Sequence, residues 1–262
     1  MKLKTDNHII LDKNETWPKE FNILMQSNSE LIINFLAEEE RIDELCQRDL
    51  SVRFSKKELN PYKLNFQNLI NDLERIIQKH KLVGIHCTRL LNEEIESLKE
   101  DGLKPLSQEL AISKIELANS KGVLSDKLKI ELLTKDEYRL DCRTDMAYFF
   151  HCLSTLKEEH GLRKLFGYWG GEAIYMYNND SEELKTIGTP CIVILSVKIS
   201  ELESFLPLSE RMIRGLFKND FDSQDSDSTM RKPVKVLEVI EHSMEKFEEL
   251  TNYSTWEEAS MN

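Results

Sequence analysis

The chain is 262 residues long, 40% hydrophobic and 31% charged, with 35 Lys plus Arg against 47 Asp plus Glu and a formal net charge of -12. That composition excludes a chain disordered throughout, and no window reaches the roughly 18 uninterrupted apolar residues of a bilayer span. The acidic balance weighs against a non-specific grip on a polyanion, because such binding comes from Lys and Arg neutralising phosphates.

The start, Met1-Lys2-Leu3-Lys4, is basic, but polar residues interrupt it before any apolar signal core forms. Five Cys at irregular spacing read as free thiols in a reducing compartment, so a cytoplasmic, membrane-free location is expected. From 22 to about 50, Ile23, Leu24, Leu31, Ile32, Phe35, Leu36, Ile42 and Leu45 recur at helical spacing among Glu and Arg, which marks an amphipathic helical region. Residues 64–80 repeat the pattern with Phe66, Leu69, Ile70, Leu73, Ile76 and Ile77. The first 80 residues are thus expected to be a mainly helical N-terminal region.

At Leu82 the character changes. Leu-Val-Gly-Ile-His-Cys-Thr (82–88) reads as a short strand and 90–100 as a helix, with Gly102 as its stop, since glycine readily takes the left-handed conformation that ends helices. Two polar helical stretches fill 108–134. Four strand-like runs follow, 147–153, 173–177, 191–197 and 234–240, rich in β-branched and aromatic residues. They lack the regular intervening helices of a doubly wound parallel sheet. The expected fold is therefore α+β, a mainly antiparallel core over 81–242, with the helical region 1–80 before it and an acidic helix or tail, 243–262, after it. The tract 219–228, short and acidic, reads as a loop with nothing to bury.

Three segments carry chemistry. In Gly84-Ile85-His86-Cys87-Thr88-Arg89 strand alternation puts His86 and Thr88 on one face, a polar platform able to hydrogen-bond a ribose or an amide. A satisfied structural histidine at a strand end fits the same pattern. In Met146–Ser154, Tyr148, Phe150 and Cys152 face one way and Phe149 and His151 the other. Such aromatic runs build cores, and a tyrosine among them can also stack on a planar heterocycle. In Gly170-Gly171-Glu172-Ala173-Ile174-Tyr175 two glycines allow close backbone approach and deliver a carboxylate to the start of an expected strand.

In this order the three segments resemble the ADP-ribosyltransferase superfamily, in particular its His-Tyr-Glu branch of diphtheria-toxin-like enzymes and poly(ADP-ribose) polymerases. His86-Cys87-Thr88 with Gly102-Leu103 is similar to the first motif, Tyr148-Phe149 with Ser154 to the second, and Glu172-Ala173-Ile174-Tyr175 to the third. Tyr148 lies 62 residues after His86, and Glu172 a further 24 after Tyr148. Cys87 stands where the family often has glycine, and the Gly-Gly-Glu approach is not the usual polymerase sequence. The resemblance implies a split antiparallel sheet core over about 82–240 and a glycosyltransferase that uses NAD as substrate and no metal. It implies Glu172 as the catalytic carboxylate, His86 on the adenosine-side ribose, Thr88 seating the cofactor and Tyr148 stacking on nicotinamide, with Ser154 completing the second motif. Arg89 is placed to reach a diphosphate oxygen, or else is an ordinary surface arginine.

The acceptor implied is a macromolecule, protein or nucleic acid, and Arg139, Arg143, Arg163, Lys164, Arg211, Arg214 and Lys218 are expected to line its groove. Uncontrolled activity of this class depletes NAD or damages essential targets, so a bacterial toxin or phage-defence effector restrained by an antitoxin protein is expected. Three other readings stand beside it: an NAD glycohydrolase, a non-enzymatic interaction protein on the same fold, and a cysteine hydrolase using Cys152 with His160 or His86. A zinc site from His86-Cys87 and His151-Cys152 is not expected, because adjacent strand residues face opposite sides.

Overall fold

The structure, a computed structural model, describes residues 7–48, 60–134, 144–157, 160–175, 181–203, 206–221 and 228–252. It combines helices with a mixed four-stranded sheet, an arrangement compatible with α+β. In chain order the strands are β1 (His8–Ile9), β2 (Lys81–Leu90), β3 (Ala147–Phe149), β4 (Thr189–Lys198), β5 (Ser228–Met230) and β6 (Lys235–Glu241). The main sheet has the order β1-β2-β4-β6, and β3 pairs with β5 in a separate ribbon. β1 runs parallel to β2, while β4 is antiparallel to both β2 and β6.

The central pair is long. Its register runs from Lys81 opposite Lys198 to Leu90 opposite Thr189. Nearly every residue of both strands is buried or half-buried, because each face of the sheet has its own apolar cluster. Leu82, Leu90, Cys191, Val193 and Leu195 belong to one cluster, and Val83, Ile85, Cys87, Ile192 and Ile194 to the other. The period-two alternation accounts for that partition. The ribbon joins the main sheet at one residue pair, where Ile85 and Phe150 exchange backbone hydrogen bonds of 2.8 and 3.0 Å. At Gly84 a Cβ would stand 2.9 Å from the Phe149 ring, so the glycine is what lets the ribbon lie against β2.

The N-terminal helices α1 (Lys19–Ser27), α2 (Ser29–Arg48) and α3 (Lys63–Ile77) pack on the first face together with α10 (Leu208–Lys218). Phe21, Phe35, Phe66 and Leu73 share a single cluster with strand residues Leu82 and Val193, so the core is continuous across residue 80. Exposed helix pairs such as Arg41–Glu38 contribute at most about 1 kcal/mol each, whereas a buried Phe or Leu contributes about 1.5–3 kcal/mol. The apolar faces therefore hold this layer. Two buried polar ties add direction: Arg214 of α10 pairs with both Glu39 and Glu210, and Ser209 donates to Glu74 at 2.7 Å. On the other face α7 (His160–Gly167) and α11 (Glu245–Leu250) bury Leu162, Phe166 and Phe247.

Between β2 and β3 lie α4 (Asn92–Asp101), α5 (Gln108–Ser120) and α6 (Asp126–Thr134). Ser107 caps α5 by accepting from the Leu110 N–H. The described part of the run 173–177 differs from the strand expected of it, since Glu172–Tyr175 form one helical turn, α8, while 176 and 177 lie outside the described residues. A strand would send Ile174 and Tyr175 to opposite sides; the turn buries both in the cluster around Trp169, and the Gly171 carbonyl accepts from both of their N–H groups. α9 (Glu182–Thr186) follows. Strand structure in 147–153 ends after the Phe150 bridge. Of the expected loop 219–228, residues 222–227 fall outside the described residues; of the acidic tail 243–262, residues 243–252 are described and contain the helix Glu245–Leu250.

Gly102 ends α4 at φ 83°, and a Cβ there would lie 2.5 Å from the Val234 carbonyl oxygen. Its neighbour Leu103 exchanges two backbone hydrogen bonds with Val234. Gly102→Ala should lower stability by about 1–3 kcal/mol, and an unchanged urea midpoint would show that this junction is not constrained.

Candidate functional site

The cavity is built where β2 passes from the ribbon to the helices. Its volume is about 330 Å³, and its wall combines the second half of β2, α4, α5, β3 and the Gly170–Gly171 turn. His86, Thr88 and Tyr148 all line it. His86 and Thr88 share the strand face that points there, and Tyr148 and Phe150 alternate with buried Phe149, whose ring meets that of His151 on the opposite side. The structure therefore brings together three of the residues singled out from sequence, across a separation of 62 positions.

The state of His86 follows from its contacts. Nδ1 lies 2.9 Å from the Tyr148 carbonyl, which can only accept, so Nδ1 carries the proton. Burial pushes the imidazole pKa down to about 4; the nearby Lys114 ammonium adds to that, and the carbonyl bond partly opposes it. At neutral pH the ring is uncharged and Nε2 is an acceptor at the cavity wall. A group that can meet it is a hydroxyl or N–H donor. The Tyr148 phenol donates to Met146 Sδ at 3.5 Å, and the side chain is part of the cavity lining.

Glu172 opens α8 directly after Gly170 and Gly171, both of which line the cavity. Its side chain lies outside the described residues. The strand beside Tyr148 is Ser228–Met230 and not the Glu172 segment.

Arg89 and Ser154 are placed elsewhere. The Arg89 guanidinium donates to the carbonyls of Ile187, Phe166 and Gly188 at 2.9, 3.0 and 2.8 Å, so it holds the chain between 166 and 188 against β2 and does not line the cavity. Ser154 starts a short 3-10 turn whose N–H donates to Asp12 at 2.8 Å. Of the basic residues expected in an acceptor groove, Arg211 is fully buried and Arg214 is ion-paired within the fold, while Arg139 and Arg143 lie outside the described residues. Cys152 is fully buried, donates to the Phe221 carbonyl and does not line the cavity.

Two cavity residues had no role in the sequence reading. Glu94 is buried: its Oε2 accepts from the Leu91 N–H and from Trp169 Nε1, both at 2.8 Å. Lys114 of α5 stands 2.9 Å from Oε1. The position of Glu94, third in its helix, marks it in sequence as able to reach back to a free N–H; nothing local announces Trp169 or Lys114 as its partners. Among the described residues no helix is long and apolar enough to cross a membrane. No family model matches the chain, nor does any curated protein or solved structure.

Behind the cavity a second histidine is locked in a polar chain. Arg211 donates to Ser228 Oγ at 3.4 Å, and Ser228 Oγ lies 2.9 Å from His151 Nε2, while Nδ1 faces the Val83 carbonyl at 3.2 Å. Since that carbonyl only accepts, Nδ1 donates and Nε2 receives the serine proton. Burial and then the Arg211 charge push this imidazole down to about 3. Above about 6.5, the unfolded value, both states are neutral and stability is full. Below it the unfolded chain takes up a proton that the folded chain refuses, so stability falls until the folded ring protonates near pH 3. Urea unfolding between pH 7.5 and 5 should show a decline of about 1.4 kcal/mol per pH unit from His151 below its unfolded value and as much again from His86, whose ring is depressed to about 4. An NMR titration placing the His151 pKa near 6.5 in the folded protein would contradict this.

Proposed function

We propose that the chain is an NAD-dependent ADP-ribosyltransferase that moves ADP-ribose from NAD to a macromolecular acceptor, protein or nucleic acid, as a toxin or phage-defence effector. The observation that supports this best is the convergence of neutral His86, Thr88 and Tyr148 on one cavity. A ribose hydroxyl is a donor of the kind His86 Nε2 needs, and Tyr148, in the lining of the same cavity, carries an aromatic ring of the type that stacks on nicotinamide. Thr88 sits beside them as a short polar contact for the cofactor.

Breaking the nicotinamide–ribose bond places positive charge on the ribose carbon as the bond lengthens, and an adjacent carboxylate stabilises that charge. In this reading Glu172 supplies it, because it follows the two cavity-lining glycines. The acceptor nucleophile then takes the ribose carbon, nicotinamide leaves with the bonding pair, and the acceptor proton passes to solvent or to a carboxylate.

The test is incubation of the full chain with labelled NAD and cell lysate, followed by separation of label in protein, nucleic acid and free ADP-ribose. Label in a macromolecule is expected, and Glu172→Gln should reduce it at least about a hundredfold at an unchanged unfolding midpoint. Label in free ADP-ribose alone identifies a glycohydrolase. Persistent turnover in Glu172→Gln removes that residue from catalysis, and a wild-type chain that neither binds nor cleaves NAD is an interaction protein. Expression of the wild type should arrest growth where Glu172→Gln does not.

A further inference from the structure

We infer that Lys114 forms an anion subsite in the cavity and takes a phosphate group of a nucleotide-type ligand, with Glu94 as the residue that positions it. The proposal rests on the nucleotide reading for the identity of the ligand, but not for the charge that the subsite accepts.

A lysine paired with a glutamate presents no net charge if both are equally accessible, and here they are not. Both line the cavity, but the Glu94 side chain is 6% exposed and that of Lys114 is 27% exposed, so the lysine is the more accessible member of the pair. The carboxylate is held from behind by Leu91 N–H and Trp169 Nε1, and these two donors disperse part of its charge. Lys114 Nζ approaches Oε1 at 2.9 Å without hydrogen-bond geometry, and that oxygen has no hydrogen-bond partner although it is buried. The ammonium has three N–H donors, and Glu94 is its one ionic partner among the described residues. The other charged side chains of the wall, Glu93 and Lys104, are well exposed and pair with Lys121 and Asp101.

The location matters as much as the charge. Lys114 and His86 line the same cavity, and the ammonium adds to the low pKa of the imidazole. Around them Leu98, Leu110 and Leu117 supply apolar wall. A cation and a hydroxyl acceptor set together in an apolar cavity match a phosphorylated sugar, and a nucleotide adds the planar group for Tyr148. A lysine serves a phosphate as a point charge.

The experiment is calorimetric titration of the full chain with adenosine, ADP-ribose and inorganic pyrophosphate. The variants are Lys114→Met, Lys114→Arg and the double Glu94→Gln/Lys114→Met, which removes both charges and leaves none buried alone if the single variant fails to fold. Wild type should bind ADP-ribose more tightly than adenosine and should bind pyrophosphate. Loss of the Lys114 charge should weaken ADP-ribose by about ten- to a hundredfold and abolish pyrophosphate binding, with adenosine unchanged; Lys114→Arg should retain most of the affinity. A wild type that binds adenosine and ADP-ribose equally, or a preference that survives without Lys114, overturns the proposal. Charge-dependent pyrophosphate binding in a chain that does not cleave NAD sustains the subsite while the transferase reading fails.

Discussion

Ten residues of β2 pair with ten of β4 in one uninterrupted register, and the parts of the cavity are all referred to that pairing. Because side chains alternate along a strand, the register decides which of them leave the sheet on the cavity side. A slip by one residue would turn the side chains of His86 and Thr88 into the cluster that holds Ile192 and Ile240. Such a slip is prevented by apolar burial on both faces at once. The two-residue β1, the ribbon and the helices of both layers add to an arrangement whose geometry is already set.

What was legible in the sequence is what this periodicity governs. The shared face of His86 and Thr88, the opposition of Tyr148 to Phe149, the stop at Gly102 and the apolar stripes of the N-terminal helices all depend on neighbours within a few positions. Arg89 is one step out of phase with His86 and Thr88, and its side chain finds carbonyls 77, 98 and 99 residues away. No local pattern announces such partners. Asp12, which receives the N–H groups of Leu153 and Ser154, and the Glu94–Trp169 contact are hidden for the same reason. The run 173–177 has strand-forming composition, but in its described part, up to Tyr175, packing around Trp169 outweighed propensity.

Two histidines in this fold are kept neutral by different surroundings for different ends. His151 has both ring nitrogens engaged and no exposure, so it serves the packing between β2 and β5. Among the described residues His86 has Nδ1 engaged, by the Tyr148 carbonyl, and it stands half-buried at the cavity wall. Burial is the main cause of the low His86 pKa, and the Lys114 charge adds to it.

The contacts of Arg89 define the ends of a loop. One guanidinium grips the carbonyls of Phe166, Ile187 and Gly188, and Trp169 adds a backbone bond to Leu184. The chain between them begins and ends at nearly the same point on β2. Between those ends Trp169, Ile174 and Tyr175 pack with Leu184 and Ile187 in a cluster that reaches α5 and α6, and a Cβ at Gly170 would lie 2.5 Å from Ile174. The segment that carries Gly170, Gly171 and Glu172 is thus held both at its ends and by a small core of its own, so the wall it gives the cavity is as fixed as the strand opposite.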